Sequence, residues 1–218
     1  MVQVRAVIFD LDGTLVDSAP DIHWAVNELL EMDGMAPLPL ETVRGFVGGG
    51  VPLLIERVMG ACGVPQGRFD DYAAAFMDIY GDCPAGLGVH YDGVESALDA
   101  LWPMPLGLCT NKPLGPTRGV LAHMAWTERF GVIVAGDTLP VRKPDPAPLL
   151  LAVERIGGGA VFVGDSEVDA ETAARAGVPF ILFTGGYRKT PVAELPHLAA
   201  FDHWRDFSDT LARVARGG

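Results

Sequence analysis

Two aspartates two residues apart, Asp10 and Asp12, stand at the end of the apolar run Val4 to Phe9. In extended backbone, alternate side chains share a face, so both carboxylates can address one point. Gly13 follows them and lets the chain turn sharply and a ligand approach the backbone. Other able residues also stand where apolar runs end. Thr110, Asn111 and Lys112 follow Leu106 to Cys109, and Asp165 follows Val161 to Gly164, with Asp169 one helical turn further on. Lys143 sits between Arg142 and Pro144-Asp145-Pro146, in the stretch between the third and fourth runs. Carboxylates crowded together repel, so a hard divalent cation is their natural companion. Magnesium takes a few carboxylates together with waters and phosphate oxygens. An ammonium and a hydroxyl would hold the other oxygens of a phosphoryl group.

These residues meet only if the apolar runs are neighbours in one sheet. Val4 to Phe9, Leu106 to Cys109, Val132 to Ala135, Val161 to Val163 and Phe180 to Phe183 are short and continuously apolar, as strands buried on both faces are. Helical patterns separate most of them: Val94, Leu98 and Leu101 form one stripe and Leu149, Val153 and Ile156 another, while Ala170 to Ala176 ends at Gly177 and Pro179. Alternating strands and helices predict a parallel α/β sheet with right-handed crossovers. In such a sheet the carboxyl ends of the strands share one edge, where ligands bind. Asp10, Asp12, Thr110 and Asp165 are expected at that edge, with Lys143 reaching it from its loop.

One block breaks the alternation. From about Ala19 to Cys83 the pattern is helical, with stripes at Ile22, Val26, Leu29 and Leu30, at Leu53, Leu54, Val58 and Met59, and at Tyr72, Phe76, Ile79 and Tyr80. It predicts a small helical cap domain over residues 18–84, inserted after the first strand into a core made of residues 1–17 and 85–218. Pro84 to Gly88 is the expected return hinge, and Gly157-Gly158-Gly159 a turn between helix and strand.

The segment Asp10-Leu11-Asp12-Gly13-Thr14 resembles the signature of phosphatases of the haloacid dehalogenase superfamily. Thr110, Lys143 and Gly164-Asp165-Ser166-Glu167-Val168-Asp169 match the other three motifs of that superfamily in order. Within it, Val43 to Gly50, Leu53 to Arg57, Cys109 to Pro113, Gly136-Asp137-Thr138 and Arg142 to Pro146 are similar to segments of the phosphoglycolate phosphatase group. The doubled Gly49-Gly50 and the short Val141-to-Lys143 approach depart from that pattern and bear on selectivity. The resemblance implies a Rossmann-like core and Mg2+-dependent hydrolysis of a small phosphomonoester, 2-phosphoglycolate foremost. It implies Asp10 as nucleophile and metal ligand, forming an aspartyl-phosphate. Asp12 would be the general acid and base, its backbone carbonyl on the metal. Asp165 would complete the ligands, supported by Asp169. Thr110 and Lys143 would hold the phosphoryl group, and Thr14, Asn111 and Lys112 would bind substrate. A substrate with a second negative charge needs a second cation, for which Arg44 in the cap is the candidate.

Each residue taken singly also has a plain structural reading. Aspartates at strand ends cap helices, Asp17 and Asp137 suit local capping, Lys143 alone would be solvated, and Arg44 would suit a surface. The ordered set favours chemistry. Other activities within the superfamily are sugar-phosphate phosphatase, pyrophosphatase and phosphomutase. A dehalogenase would need neither Asp12 nor the Asp165/Asp169 pair. In a receiver-like signalling module the phosphorylated aspartate lies at a later strand end, and no cap interrupts the sheet.

The formal net charge is -12 over 218 residues, which disfavours a nucleic-acid surface. Hydrophobic residues at 49% and charged residues at 20% are a globular balance. Neither a spanning run of roughly 18 to 20 apolar residues nor a secretory signal is apparent. Cys62, Cys83 and Cys109 lack CxxC spacing and the five histidines lack metal-ligand pairing. Gly48-Gly49-Gly50 lacks the Lys-Ser or Lys-Thr of a P-loop. The expectation is a cytoplasmic monomer or homodimer acting on a small phosphorylated metabolite, away from nucleic acid and membrane.

Overall fold

The computed structural model describes residues 4–81 and 88–217. The chain runs β1 (Ala6–Phe9), β2 (Val16–Asp17), α1 (Ala19–Met32), α2 (Leu40–Arg44), α3 (Gly50–Cys62), α4 (Phe69–Gly81), β3 (Val89–His90), α5 (Val94–Ala100), β4 (Leu106–Cys109), α6 (Leu114–His123), β5 (Val132–Val134), α7 (Ala147–Arg155), β6 (Ala160–Gly164), α8 (Glu167–Ala176), β7 (Phe180–Phe183), β8 (Ala199–Phe201) and α9 (Phe207–Arg216). Six strands form one parallel sheet in the order β5-β4-β1-β6-β7-β8. This is the expected α/β core. β1 lies at its centre, with Val7 opposite Leu106 on one side and Ala6 opposite Ala160 on the other.

The continuous apolar strands are explained by burial on both faces. Val7, Phe9, Val161, Val163 and Ile181 point to one side, where α5 and α9 pack. Ala6, Ile8, Phe162, Phe180 and Leu182 point to the other and meet Leu149 and Ala152 of α7 and Ala170 and Ala173 of α8. On the first side the core is aromatic: Trp204 stands 5.0 Å from Phe201, 5.1 Å from Phe207 and 5.5 Å from Phe183, centroid to centroid.

Residues 19–81 contain α1 to α4 and, among the described residues, no strand. They have a core of their own, built from Val26 and Leu30 of α1, Ile55 and Val58 of α3, and Tyr72, Phe76 and Tyr80 of α4. The buried stripe on α3 is Leu54, Ile55, Val58 and Met59, so Ile55 takes the place expected for Leu53. Residues 84–87 of the expected return hinge lie outside the described residues.

Two features were not expected. β2 and β3 pair antiparallel, Val16 with His90 and Asp17 with Val89, so a short ribbon ties the neck where the chain leaves for the helical block and comes back. β8 and α9 extend the sheet and cover its aromatic side. Among the described residues no helix is long and apolar enough to cross a membrane.

Candidate active site

β1, β4 and β6 are adjacent in the sheet, so the residues just past their carboxyl ends are neighbours. Asp10, Thr110 and Asp165 occupy those three places, and all are buried. Lys143 reaches in from its loop: its Nζ lies 3.0 Å from Oδ1 of Asp10 and 2.6 Å from Oδ1 of Asp169. Asp10, Asp165 and Asp169 each present a carboxylate oxygen within 4.8 Å of the others.

The electrostatics follow from crowding. Burial foremost pushes the Asp10 carboxyl up to about 7; Lys143 opposes the rise, while Asp169 and Asp12 add to it. Burial, then Asp169 and Asp10, push Asp165 well above the ordinary carboxylate value, against the donors Tyr187 N–H and Thr14 hydroxyl. For Lys143, burial works against the charge, but Asp10 and Asp169 outweigh it and raise the ammonium above its usual value. Lys143 thus pairs with Asp10 and Asp169, and without a further cation the crowding favours the protonated forms of Asp10 and Asp165. The donors are all hard oxygens, so the arrangement fits a hard divalent cation rather than a soft one.

Local structure holds each carboxylate in place. Thr14 Oγ1 donates to Oδ1 of Asp165 over 2.8 Å, and the Tyr187 backbone N–H donates to Oδ2 over 2.6 Å. Ser166 and Asp169 form a capping box at the start of α8. Asp169 Oδ2 accepts from Ser166 Oγ at 2.6 Å, while its Oδ1 faces Lys143. Close packing requires glycine at two points. A Cβ on Gly186 would fall 2.3 Å from both Asp165 Oδ2 and the Gly13 carbonyl oxygen, and Gly13 itself has φ +84° with Asp165 against it.

Between this floor and the helical block lies a partly open pocket. Asp10, Asp12, Thr110, Asn111 and Lys112 line it from below; Ile22, Val47, Val51, Leu54, Phe76 and Tyr80 line it from above, with Gly48 and Gly50 at the side. The Gly48–Gly50 turn therefore faces the pocket. Lys112 Nζ lies 3.0 Å from Oδ1 of Asp12 and also donates to the Tyr80 hydroxyl. Burial opposes the Lys112 charge, and Asp12 and Tyr80 more than compensate, raising the ammonium above its usual value.

The structure gathers Asp10, Asp12, Thr110, Asn111 and Lys112 around the pocket, and Asp165, Asp169 and Lys143 beside Asp10. Three sequence-expected residues have partners of their own. Thr14 serves Asp165 rather than lining the pocket. Asn111 accepts from Lys143 N–H at 3.0 Å and donates to the Gly48 carbonyl at 3.1 Å, so its amide bridges the Lys143 loop and the helical block. Arg44 does not line the pocket; its guanidinium pairs with Glu41 at 2.6 Å and Asp17 at 3.6 Å. Asp137 accepts from Leu114 N–H at the start of α6, a capping role.

Two tyrosines at the site escaped sequence reasoning. Tyr187 holds Asp165 through its backbone, donates its hydroxyl to Asp17 at 2.6 Å and accepts from Ala19 N–H at 2.9 Å. It connects the carboxylate cluster to the neck of the helical block. The readable signal was Gly185-Gly186 ahead of an aromatic residue, just past the run Phe180 to Phe183 and hence at the same sheet edge. Tyr80 gave no signal beyond its apolar stripe.

This sheet edge, with its carboxylates and lysine under a helical block, defines a hydrolase class. A family model for haloacid dehalogenase-like hydrolases matches residues 4–177, and the chain belongs to that family. Among its relatives, a phosphoglycolate phosphatase of Cereibacter sphaeroides is 49% identical over 215 residues, covering 95% of this chain and 98% of that protein. A phosphoglycolate phosphatase of Rhodospirillum rubrum is 41% identical, covering 98% and 93%. A crystal structure described as a predicted phosphoglycolate phosphatase from Haemophilus somnus superposes with a TM-score of 0.89 at 28% identity, over 96% of this chain and 98% of that one.

Proposed function

We propose that the protein is a Mg2+-dependent phosphatase of small phosphomonoesters, 2-phosphoglycolate foremost, working through a covalent intermediate on Asp10. The observation that carries this reading is the buried Asp10/Asp165/Asp169 cluster, with Lys143 between Asp10 and Asp169, beside a pocket that Asp10 and Asp12 line. The names of relatives 49% identical over nearly the whole chain support the substrate.

Asp10, the Asp12 backbone carbonyl and Asp165 would hold the metal, with Asp169 behind them. When bound, that ion supplies positive charge to phosphoryl oxygens and to the carboxylates. An Asp10 oxygen attacks phosphorus, and the bond from phosphorus to the substrate's alcohol oxygen breaks. Asp12 gives its proton to that leaving oxygen. Asp12 then takes a proton from a water molecule as it attacks the aspartyl-phosphate, and the bond between phosphorus and Asp10 breaks to free phosphate. Lys143 beside Asp10 and the Thr110 hydroxyl offset and hold the phosphoryl charge. Residues 18–84 act as a cap whose seating excludes bulk water from the acyl-phosphate.

The test is phosphate release from phosphoglycolate, phosphoserine, sugar phosphates, nucleotides and pyrophosphate, with magnesium and with chelator. Magnesium-dependent release, highest on phosphoglycolate and lost in Asp10→Asn, is the expected result. Full activity of Asp10→Asn would overturn the covalent route. A clear preference for another ester would discard the substrate but keep the chemistry.

A further inference from the structure

Lys112 is the charged residue of the pocket that phosphoryl transfer leaves without a task. Its side chain is 2% exposed. Burying an ammonium costs several kcal/mol unless partners face it, and lysine seldom gives up water without a specific partner. Its Nζ meets Asp12 from the floor and the Tyr80 hydroxyl from the cap, and lies 4.7 Å from the centre of the Tyr80 ring. Tyr80 lies in the last turn of α4, so the Lys112 site is completed by two parts of the chain that meet only when the cap is seated.

No other lysine or arginine among the described residues lines the pocket. Arg44 is held by Glu41 and Asp17, and Arg142 donates to the Gly136 carbonyl at 2.7 Å. The rest of the roof is apolar: Ile22, Val47, Val51, Leu54 and Phe76. A polyol bound there would bury hydroxyls without partners, which a site rejects strongly. A short organic anion needs one cation and little else. An ammonium has three N–H donors; here they face Asp12 Oδ1 at 3.0 Å, the Tyr80 hydroxyl and, at a long 3.4 Å, Asp12 Oδ2, and this last, weakest bond is the one an incoming acceptor would replace.

We propose that Lys112, framed by Tyr80 of the cap, is the specificity-determining counter-charge for a carboxylate on the alcohol half of the substrate. The proposal rests on the phosphomonoester reading above. It assigns to Lys112 the role first expected of Arg44, and it makes recognition of the second charge depend on cap closure.

The experiment compares 2-phosphoglycolate with ethyl phosphate, in which a methyl group stands where the carboxylate would be. Steady-state kcat and KM are measured for wild type, Lys112→Met and Tyr80→Phe. A charged hydrogen bond of the usual strength predicts a loss of about 10- to 100-fold in kcat/KM on phosphoglycolate for Lys112→Met. Because Lys112 also pairs with Asp12, its loss should cost ethyl phosphate something too, but at least about 5-fold less than phosphoglycolate. Tyr80→Phe keeps the ring and should lose about 5-fold on phosphoglycolate alone. Equal losses on both substrates, or a wild type that handles both esters equally well, would overturn the proposal while leaving the phosphatase reading intact. Release of phosphate from neither ester by wild type would instead sink the phosphatase reading. Should Lys112→Met fail to fold by circular dichroism, Tyr80→Phe decides: a loss confined to phosphoglycolate supports the proposal, and a uniform or absent loss overturns it.

Discussion

Raising the pH should loosen the metal-free protein, and Asp10 sets the size of the effect. Its carboxyl moves from the ordinary 3.8 to about 7 on folding, mainly because it is buried, with Asp169 and Asp12 nearby. A group whose folded pKa lies above its unfolded value lends stability that is fully present below the unfolded value. That stability is lost as the pH climbs through the folded one. Going from pH 4 to pH 8 in chelator should therefore cost about 4 kcal/mol, at about 1.4 kcal/mol per pKa unit. For a chain of this size that is roughly 10 °C in melting temperature. Asp165, raised by the same crowding, titrates in the same direction and does not offset the loss. The assay is thermal unfolding of wild type and Asp10→Asn across this range, each with chelator and with magnesium. Because the amide does not titrate, the variant should gain on wild type as the pH rises. Magnesium at about a hundred times its dissociation constant should return about 2.7 kcal/mol to wild type. If the gap between the two proteins moves by less than about 2 °C from pH 4 to pH 8, the carboxylate cluster is not the source of strain described here.

Two further perturbations probe the scaffold. Tyr187→Phe deprives Asp17 and Ala19 N–H of the tyrosine hydroxyl, and should lower stability by about 1–2 kcal/mol in urea unfolding; an unchanged midpoint would deny the tyrosine its part at the neck. Trp204→Ala empties the centre of the aromatic cluster and should cost about 3–5 kcal/mol. Trp204→Phe should cost clearly less, since the buried indole nitrogen has no hydrogen-bond partner to lose; equal losses in denaturant unfolding would mean that packing volume is not what the residue supplies.

The residues that sequence reasoning found are those whose position follows from local pattern. Asp10, Thr110 and Asp165 each close a continuous apolar run, and parallel pairing then brings strand ends together without further information. Asp169 was legible because one helical turn separates it from Asp165. The features that escaped depend on tertiary approach. Tyr80 looks like one more apolar residue on its stripe, and only the seating of α4 over Lys112 reveals its hydroxyl. Tyr187 matters because its loop folds back against Asp165 and Asp17. β2 and β3 have two residues each, too few for alternation to register, and β8 is a half-buried edge strand of three residues. Arg44 was singled out by charge alone, and neighbouring acids, which sequence cannot rank, claim its guanidinium.

The central position of β1 has a consequence for how the chain folds. Its four residues are the first of the sheet to be synthesised, yet they pair only with Leu106 to Leu108 and with Ala160 to Val163. The closing of such distant loops makes the sheet the slow part of folding. The helical block draws its core from one contiguous stretch of chain, Ile22 to Tyr80, and so can collapse early. During that interval an all-apolar strand waits without partners, and this is the period in which the nascent protein is most exposed to aggregation. Its nearest protection is its own sequel: the acidic Asp10-Leu11-Asp12 segment borders the strand, in the place where a charged gatekeeper stands beside an apolar strand.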